Sequence, residues 1–142
     1  MYFEDFSIGQ KFQTKSVEIT KEQIQSFAKD YDPIPLHMDE EYGKNSRYGD
    51  IIAPGVMSFM LVWAEIVRLN LWEDSLVAGK STSIEWYKPV YAGDELRGEM
   101  TVTKTVDRNE YNGTLEVQVD VFNQKDELVL RDITESILEK RK

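Results

Sequence analysis

Asp32 and His37 are the residues of this sequence whose types and spacing most readily do chemistry. They lie in the stretch YDPIPLHMDEEYGKNSRYGDIIAPG, residues 31–55, and His37 is the only histidine in the chain. An imidazole titrates near neutrality, so it can accept or donate a proton under ordinary conditions. A neighbouring carboxylate can orient the ring or share a water molecule with it. Pro33 and Pro35 fix φ and bias the residues before them toward extended geometry, which predicts a stiff extended arch between Asp32 and His37. Neither group implies a covalent intermediate, and no serine or cysteine stands in a nucleophile motif.

Gly55 is the third candidate. It follows Ala53-Pro54 and opens a long apolar run. Proline is favoured at the first helical position, so a helix is predicted from Pro54. The first N–H groups of a helix have no intrahelical partner, and the dipole there favours negative charge. Glycine admits close approach to the backbone. Its N–H can therefore polarise a thioester or amide carbonyl and hold the adjoining enolate, an effect worth about 3 kcal/mol per donor. The same residues also suit a purely structural loop, because Asp-Pro starts turns and a lone histidine is commonly a hydrogen-bonded loop residue. The two readings differ in whether the three groups converge on one cavity.

The elements that must position these groups follow from the rest of the chain. At 142 residues the sequence is expected to form one domain, 1–142, with a sizeable core. Thr20 and Gln23 form a capping-box signature, so a helix should start near Lys21 and end at Pro33. Residues 39–44 suggest one helical turn. Val56, Met60, Trp63, Val67 and Leu71 follow Pro54 at helical spacing, with Met57, Leu61 and Ala64 on the opposite face. A helix apolar on both sides is usually buried, so Trp63 and Val67 are expected in the core. After Gly79 the period changes to two. TLEVQVDVF alternates most cleanly, and ELVLRDITESIL slips near Arg131-Asp132, which suggests a bulge. The resulting expectation is an α+β fold, an antiparallel β-sheet wrapped around a long central helix, with edge strands covered by homodimerisation.

Composition narrows the functions. There are no cysteines, which removes disulfides, thiolate nucleophiles and zinc–thiolate sites, and one histidine rules out a multi-histidine metal site within one chain. No metal is expected. The formal charge of −9 argues against non-specific nucleic-acid binding. The opening residues lack the basic region of a signal peptide, and the uncharged run from Ile51 to Ala64 is shorter than the roughly 20 residues a bilayer requires. A cytoplasmic protein bound to no membrane is the expectation.

Taken together, Phe27-Ala28, then DPIPLHMD, then GDIIAPGVM resemble the MaoC-like dehydratases, the (R)-specific enoyl-CoA hydratases of the hotdog fold. WYKPVYAGDELRGEMTV is similar to a strand pair of the same family. The resemblance implies a hydratase/dehydratase acting on a 2-enoyl or 3-hydroxyacyl thioester, of coenzyme A or of an acyl carrier protein. Asp32 and His37 would activate one water, and the Gly55 N–H would hold the thioester oxygen. No cofactor beyond the thioester substrate is implied. Pro54 and Ser58 fall at positions flanking the implied oxyanion site, and Lys88 and Arg97 fall in the strand region where basic residues would meet the diphosphate. Two positions depart from the pattern: Ile34 stands where the family has asparagine, and Pro54 where it has histidine. A hotdog thioesterase or a non-catalytic thioester-binding subunit are the alternatives. Met57, Met60 and Trp63 are candidate borders of an acyl tunnel.

Overall fold

The computed structural model describes all residues from Met1 to Lys142. After a short 3-10 turn at Phe3–Asp5, the order is β1 (Lys11–Gln13), β2 (Val17–Glu18), α1 (Lys21–Tyr31), α2 (Pro35–Met38), α3 (Glu40–Asn45), α4 (Gly55–Val67), β3 (Leu76–Trp86), β4 (Glu95–Asp107), β5 (Asn112–Phe122) and β6 (Leu128–Glu139). The capping box at Thr20 forms: its hydroxyl accepts from the Gln23 N–H at 3.1 Å, and the Gln23 side chain accepts from the Thr20 N–H at 2.9 Å.

All sheet pairings are antiparallel. The strand order is β1-β4-β5-β6-β3, with β2 also on β4. The long strands curve around α4, whose Val62 and Ile66 are sealed in one core with Leu96, Met100, Val102, Val117 and Val119. This is the expected antiparallel sheet around a central helix. No helix is long and apolar enough to cross a membrane.

Several expectations need adjustment. Pro54 is the N-cap of α4, not its first helical residue. Its ψ of 134° is extended, and its carbonyl accepts from the Ser58 N–H at 3.2 Å. Val67 is 41 % exposed and continues an open apolar stripe with Val56 and Met60 along α4. The strand β3 begins at Leu76, ahead of Gly79, and carries register irregularities near both residues.

No bulge occurs at Arg131-Asp132. Arg131 pairs with Glu85 and Asp132 with Ile84 in unbroken register. The alternation slips because a charge points each way. Arg131 faces outward and clasps Asp120 with two hydrogen bonds of 2.7 and 3.2 Å. Asp132 faces inward with no exposed surface.

The inward carboxylate is satisfied by two threonines. Thr82 Oγ1 hydrogen-bonds Asp132 Oδ1, Thr134 Oγ1 lies 2.6 Å from Asp132 Oδ2, and the two hydroxyl oxygens are 2.9 Å apart. Three oxygen–oxygen contacts need three protons, and two hydroxyls supply two. The third belongs on the Asp132 carboxyl, closing a ring in which each oxygen group donates once. Burial accordingly pushes the Asp132 carboxyl above its ordinary range, against the opposing pull of the two hydroxyl hydrogen bonds. A folded-state value above the unfolded one stabilises the fold at low pH and loses that contribution as pH rises through the folded value. Asp132→Asn mimics the protonated acid and cannot ionise. Thermal melts from acid to neutral pH should therefore show the parent falling relative to Asp132→Asn as pH rises, and parallel curves would contradict the ring. Asp132→Ala should destabilise by about 1–3 kcal/mol, since it deprives two hydroxyls of their partner.

Candidate active site

The positioning of Asp32 starts with the end of α1. The Asp32 N–H still donates to Ala28 O at 2.9 Å, but Pro33 keeps Asp32 out of helical geometry, and its ψ is 67°. The chain turns tightly over Pro33, with the Ile34 N–H donating to Asp32 O at 2.8 Å. Pro35 then starts the single turn of α2, where proline's fixed φ suits the first helical position. His37 rides on that turn and is 6 % exposed. The expected extended arch thus covers residues 32–34 only, and a helical turn presents the imidazole.

The ring is held at both nitrogens. His37 Nδ1 lies 2.6 Å from the Ile52 carbonyl oxygen, and Nε2 lies 3.2 Å from Asp32 Oδ2. A carbonyl oxygen only accepts, so Nδ1 carries a proton. In the neutral ring Nε2 is then a bare lone pair facing Asp32. With both facing atoms acceptors, a water that donates one O–H to each satisfies the pair. Alternatively, Nε2 takes up a proton and donates it to the carboxylate. This is the arrangement of a general base that becomes a general acid.

The Ile52 carbonyl is in place because residues 50–53 are held on several sides. The Ile52 N–H donates to Leu36 O at 3.3 Å, the Ala53 N–H donates to Val90 O at 2.8 Å, and Ile52 bridges Tyr91. On the other side the segment presses against α3 at Gly43, where an added methyl would overlap the backbone of Asp50 and Ile51. Only glycine allows that approach. Two residues further on, α4 begins, and Gly55 presents its N–H with no helical acceptor.

Asp32, His37, Gly55 and Ser58 line one cavity of about 450 Å³, within the usual size for small-molecule sites. Ser58 is 1 % exposed, and its hydroxyl is buried without any hydrogen-bond partner. Buried hydroxyls are nearly always paired, so this one is available to a ligand. Lys88 also lines the cavity, with its Nζ 2.8 Å from Glu127. Pro54 caps the helix but does not line the cavity. Arg97 lies elsewhere, paired with Asp126 at 2.7 Å and stacked 4.8 Å over the Phe122 ring. Met57 and Met60 border a neighbouring groove with Phe27 and Tyr31, and Trp63 packs between Phe59 and Trp72. None of these three lines the cavity that holds His37. Tyr48 and Trp86 do line it, and no motif in the loop signals either. For Trp86, the trace in the sequence is its place in the inward-facing alternation of Ile84 and Trp86 just before Lys88-Pro89-Val90.

The arrangement suits addition or removal of water next to a carbonyl. It offers a histidine base with a fixed tautomer, a carboxylate sharing its proton, and a helix N-terminus able to hold an oxyanion.

Comparison with known proteins accords with that chemistry. Residues 7–132 match the family described as FAS1-like, dehydratase domain region. An uncharacterized protein of Bacillus subtilis, YdeM, is 34 % identical over 131 residues, covering 89 % of this chain and 90 % of that one. Among solved structures, a monoamine oxidase regulatory protein of Archaeoglobus fulgidus superposes with a TM-score of 0.95 at 27 % identity, over 100 % of this chain and 96 % of the other. A MaoC-like dehydratase of Rhodospirillum rubrum superposes with a TM-score of 0.91 at 27 % identity, over 100 % and 99 %.

The single histidine makes one consequence of the geometry directly measurable. In a nitrogen-15 spectrum of neutral His37, Nδ1 should appear protonated and Nε2 bare. Gly43→Ala should weaken that preference by moving the Ile52 carbonyl. The opposite tautomer in the parent protein would contradict the assignment of Nε2 as the base.

Proposed function

Because the chain belongs to the MaoC-like dehydratase family, matching its FAS1-like dehydratase domain region over most of its length, we propose that it adds water to, or removes it from, an acyl thioester through Asp32 and His37. The substrate is a 2-enoyl or 3-hydroxyacyl thioester of coenzyme A or of an acyl carrier protein. The single observation that carries this reading is the pair itself: Nε2 of His37 and Oδ2 of Asp32 stand 3.2 Å apart on the wall of a cavity that also contains the start of α4.

The steps follow from the donors and acceptors. A water donates one O–H to Asp32 and the other to His37 Nε2. The ring takes the second proton as the water oxygen bonds to C3 of the enoyl group. The electron pair of the C2–C3 double bond moves into the thioester carbonyl, giving an enolate oxygen. The N–H of Gly55 and the positive end of α4 stabilise that oxygen, and the free hydroxyl of Ser58 is available within the same cavity. The proton on Nε2 then passes to C2, which restores the neutral ring and completes the addition. Dehydration is the reverse. Lys88 is positioned to meet the substrate's phosphates once it exchanges its contact with Glu127. Arg97, already paired with Asp126, is the weaker candidate.

Activity is tested with crotonyl-CoA. The enoyl absorbance should fall without release of free thiol. His37→Ala and Asp32→Asn should each lower turnover by about 100-fold or more while leaving folding intact. Release of free coenzyme A by the parent would make it a thioesterase instead. Thioester binding with no turnover over a range of chain lengths would leave only a binding role.

The assembly we propose is a homodimer. The strand β3 is an edge of eleven residues, ten of them exposed, beside the open stripe of Val56, Met60 and Val67. Uncovered edges of this length invite pairing with a second chain. Light scattering should give twice the chain mass of 16.5 kDa. Val77→Lys, which places a charge on that edge, should shift the protein toward a single chain, and a monomeric parent would overturn the assembly.

A further inference from the structure

We propose that Gln25 is a positioning residue: its side-chain amide holds α2 against α1 and so sets the separation of His37 Nε2 from Asp32. This deepens, and rests on, the reading of that pair as a base and its carboxylate. Lys21, Gln25, Ala28 and Asp32 follow one another at the three- and four-residue spacing that places them on one face of α1 and its C-cap. Three of the four reach the segment that carries His37. Lys21 pairs with Glu40. The Gln25 Nε2 donates to the Met38 carbonyl oxygen at 3.2 Å. Asp32 Oδ2 faces His37 Nε2 at 3.2 Å, and Ala28, between Gln25 and Asp32, is wholly buried. The Lys21–Glu40 pair is half exposed at both ends, so it contributes little. Gln25 is the part-buried link closest in the chain to the imidazole.

The short helix needs that link. With four residues α2 is too short to persist without outside contacts, and Ile34 gives it no side-chain cap. It is tied to residues 50–53 through His37 Nδ1 on the Ile52 carbonyl and through the Ile52 N–H on the Leu36 carbonyl. Toward α1, the Gln25 amide is the one side chain from outside α2 that hydrogen-bonds its backbone. It meets the carbonyl of the residue after His37, at the helix end, where carbonyls lack helical acceptors. Without it, His37 would stay with Ile52 and the gap to Asp32 would open. The two ties thus set separate quantities. Ile52 fixes which nitrogen is bare, and Gln25 fixes how far that nitrogen lies from the carboxylate. A water that donates to both acceptors can bridge them only over a short range of separations.

Gln25→Met keeps the length of the side chain and removes the donor. It should lower turnover of crotonyl-CoA by about 10- to 100-fold, with little change in KM. The same change made in Asp32→Asn should cost almost nothing further, because a side chain that acts only through the Asp32–His37 separation has nothing left to set. A merely structural role would cost the same factor in both backgrounds. A second readout needs no turnover. In mildly acidified samples the charged ring carries a proton on each nitrogen, and a carboxylate partner shifts the Nε2 proton downfield and slows its exchange. In Gln25→Met that proton should move upfield and exchange faster, while the Nδ1 proton held by Ile52 stays where it was. In a parent that hydrates crotonyl-CoA, unchanged turnover in Gln25→Met or equal losses in the two backgrounds overturns the assignment. An Nε2 proton that does not move overturns it whatever the activity. A moved Nε2 proton where the parent hydrates no enoyl thioester leaves Gln25 as the residue that positions His37 and removes only the proposed reaction.

Discussion

The hydrogen bond between His37 Nδ1 and the Ile52 carbonyl is the contact on which the proposed chemistry of the site depends. At 2.6 Å it commits the ring proton to one nitrogen and so leaves Nε2 as the atom that faces Asp32. A free imidazole exchanges its proton between two nitrogens and turns about its side chain, and either motion would remove Nε2 from the water that the proposed reaction has it deprotonate. The bond also joins two stretches of chain. Asp32 comes from the end of α1 and His37 from the short helix α2 that follows it, whereas Ile52 leads within three residues into the helix that presents Gly55. Fixing the tautomer and fixing the distance from His37 Nε2 to the start of α4 are one structural event.

Rigidity of that event comes from the surroundings of residues 50–53. Backbone partners at Leu36, Val90 and Tyr91 and the close fit to Gly43 leave the segment no alternative path. The sheet supplies the opposite wall. Because β3 pairs with β6 in register through Trp86, the indole is brought onto Gly55 from across the cavity. A packed core transmits such placements with little slack. Val62 and Ile66, sealed between the helix and the long strands, hold α4 so that its N-terminus opens on the cavity.

Much of this scaffold was legible in the sequence, for local reasons. Thr20 and Gln23 announce the start of α1 through side-chain contacts three residues apart, and the Leu115–Val121 alternation announces β5 through a period of two. Asp32, His37 and Gly55 were readable as residue types able to do proton transfer and oxyanion binding, and the fold does bring them to one cavity. What was not legible depended on partners distant in the chain. The slip at Arg131-Asp132 looked like a backbone irregularity because Thr82 and Asp120, which absorb the two charges, come from other strands. Val67 looked like core because helical spacing gives the apolar faces of α4 without saying which of them the sheet covers. Arg97 lay in the right strand region yet belongs with Asp126, and Trp86 lacked any motif because its contact with Gly55 exists only once β3 and α4 have packed.

The open edge and the chemistry bear on each other. Val56 and Trp86 both line the cavity, yet each is about half exposed, at 48 % and 49 %, on the side where β3 has no neighbour. Donors such as the Gly55 N–H hold an enolate oxygen well only where water does not compete, since the same charge interaction weakens several-fold as the surroundings approach bulk water. On the base side the imidazole of His37 already meets that condition, almost fully buried within one chain. The oxyanion side does not. A second copy seated on β3 would cover Val56 and Trp86 together and raise the strength of the donors between them. With the proposed dimer, association would do more than protect a sheet edge, because the wall that excludes water from the developing negative charge would be completed only in the pair.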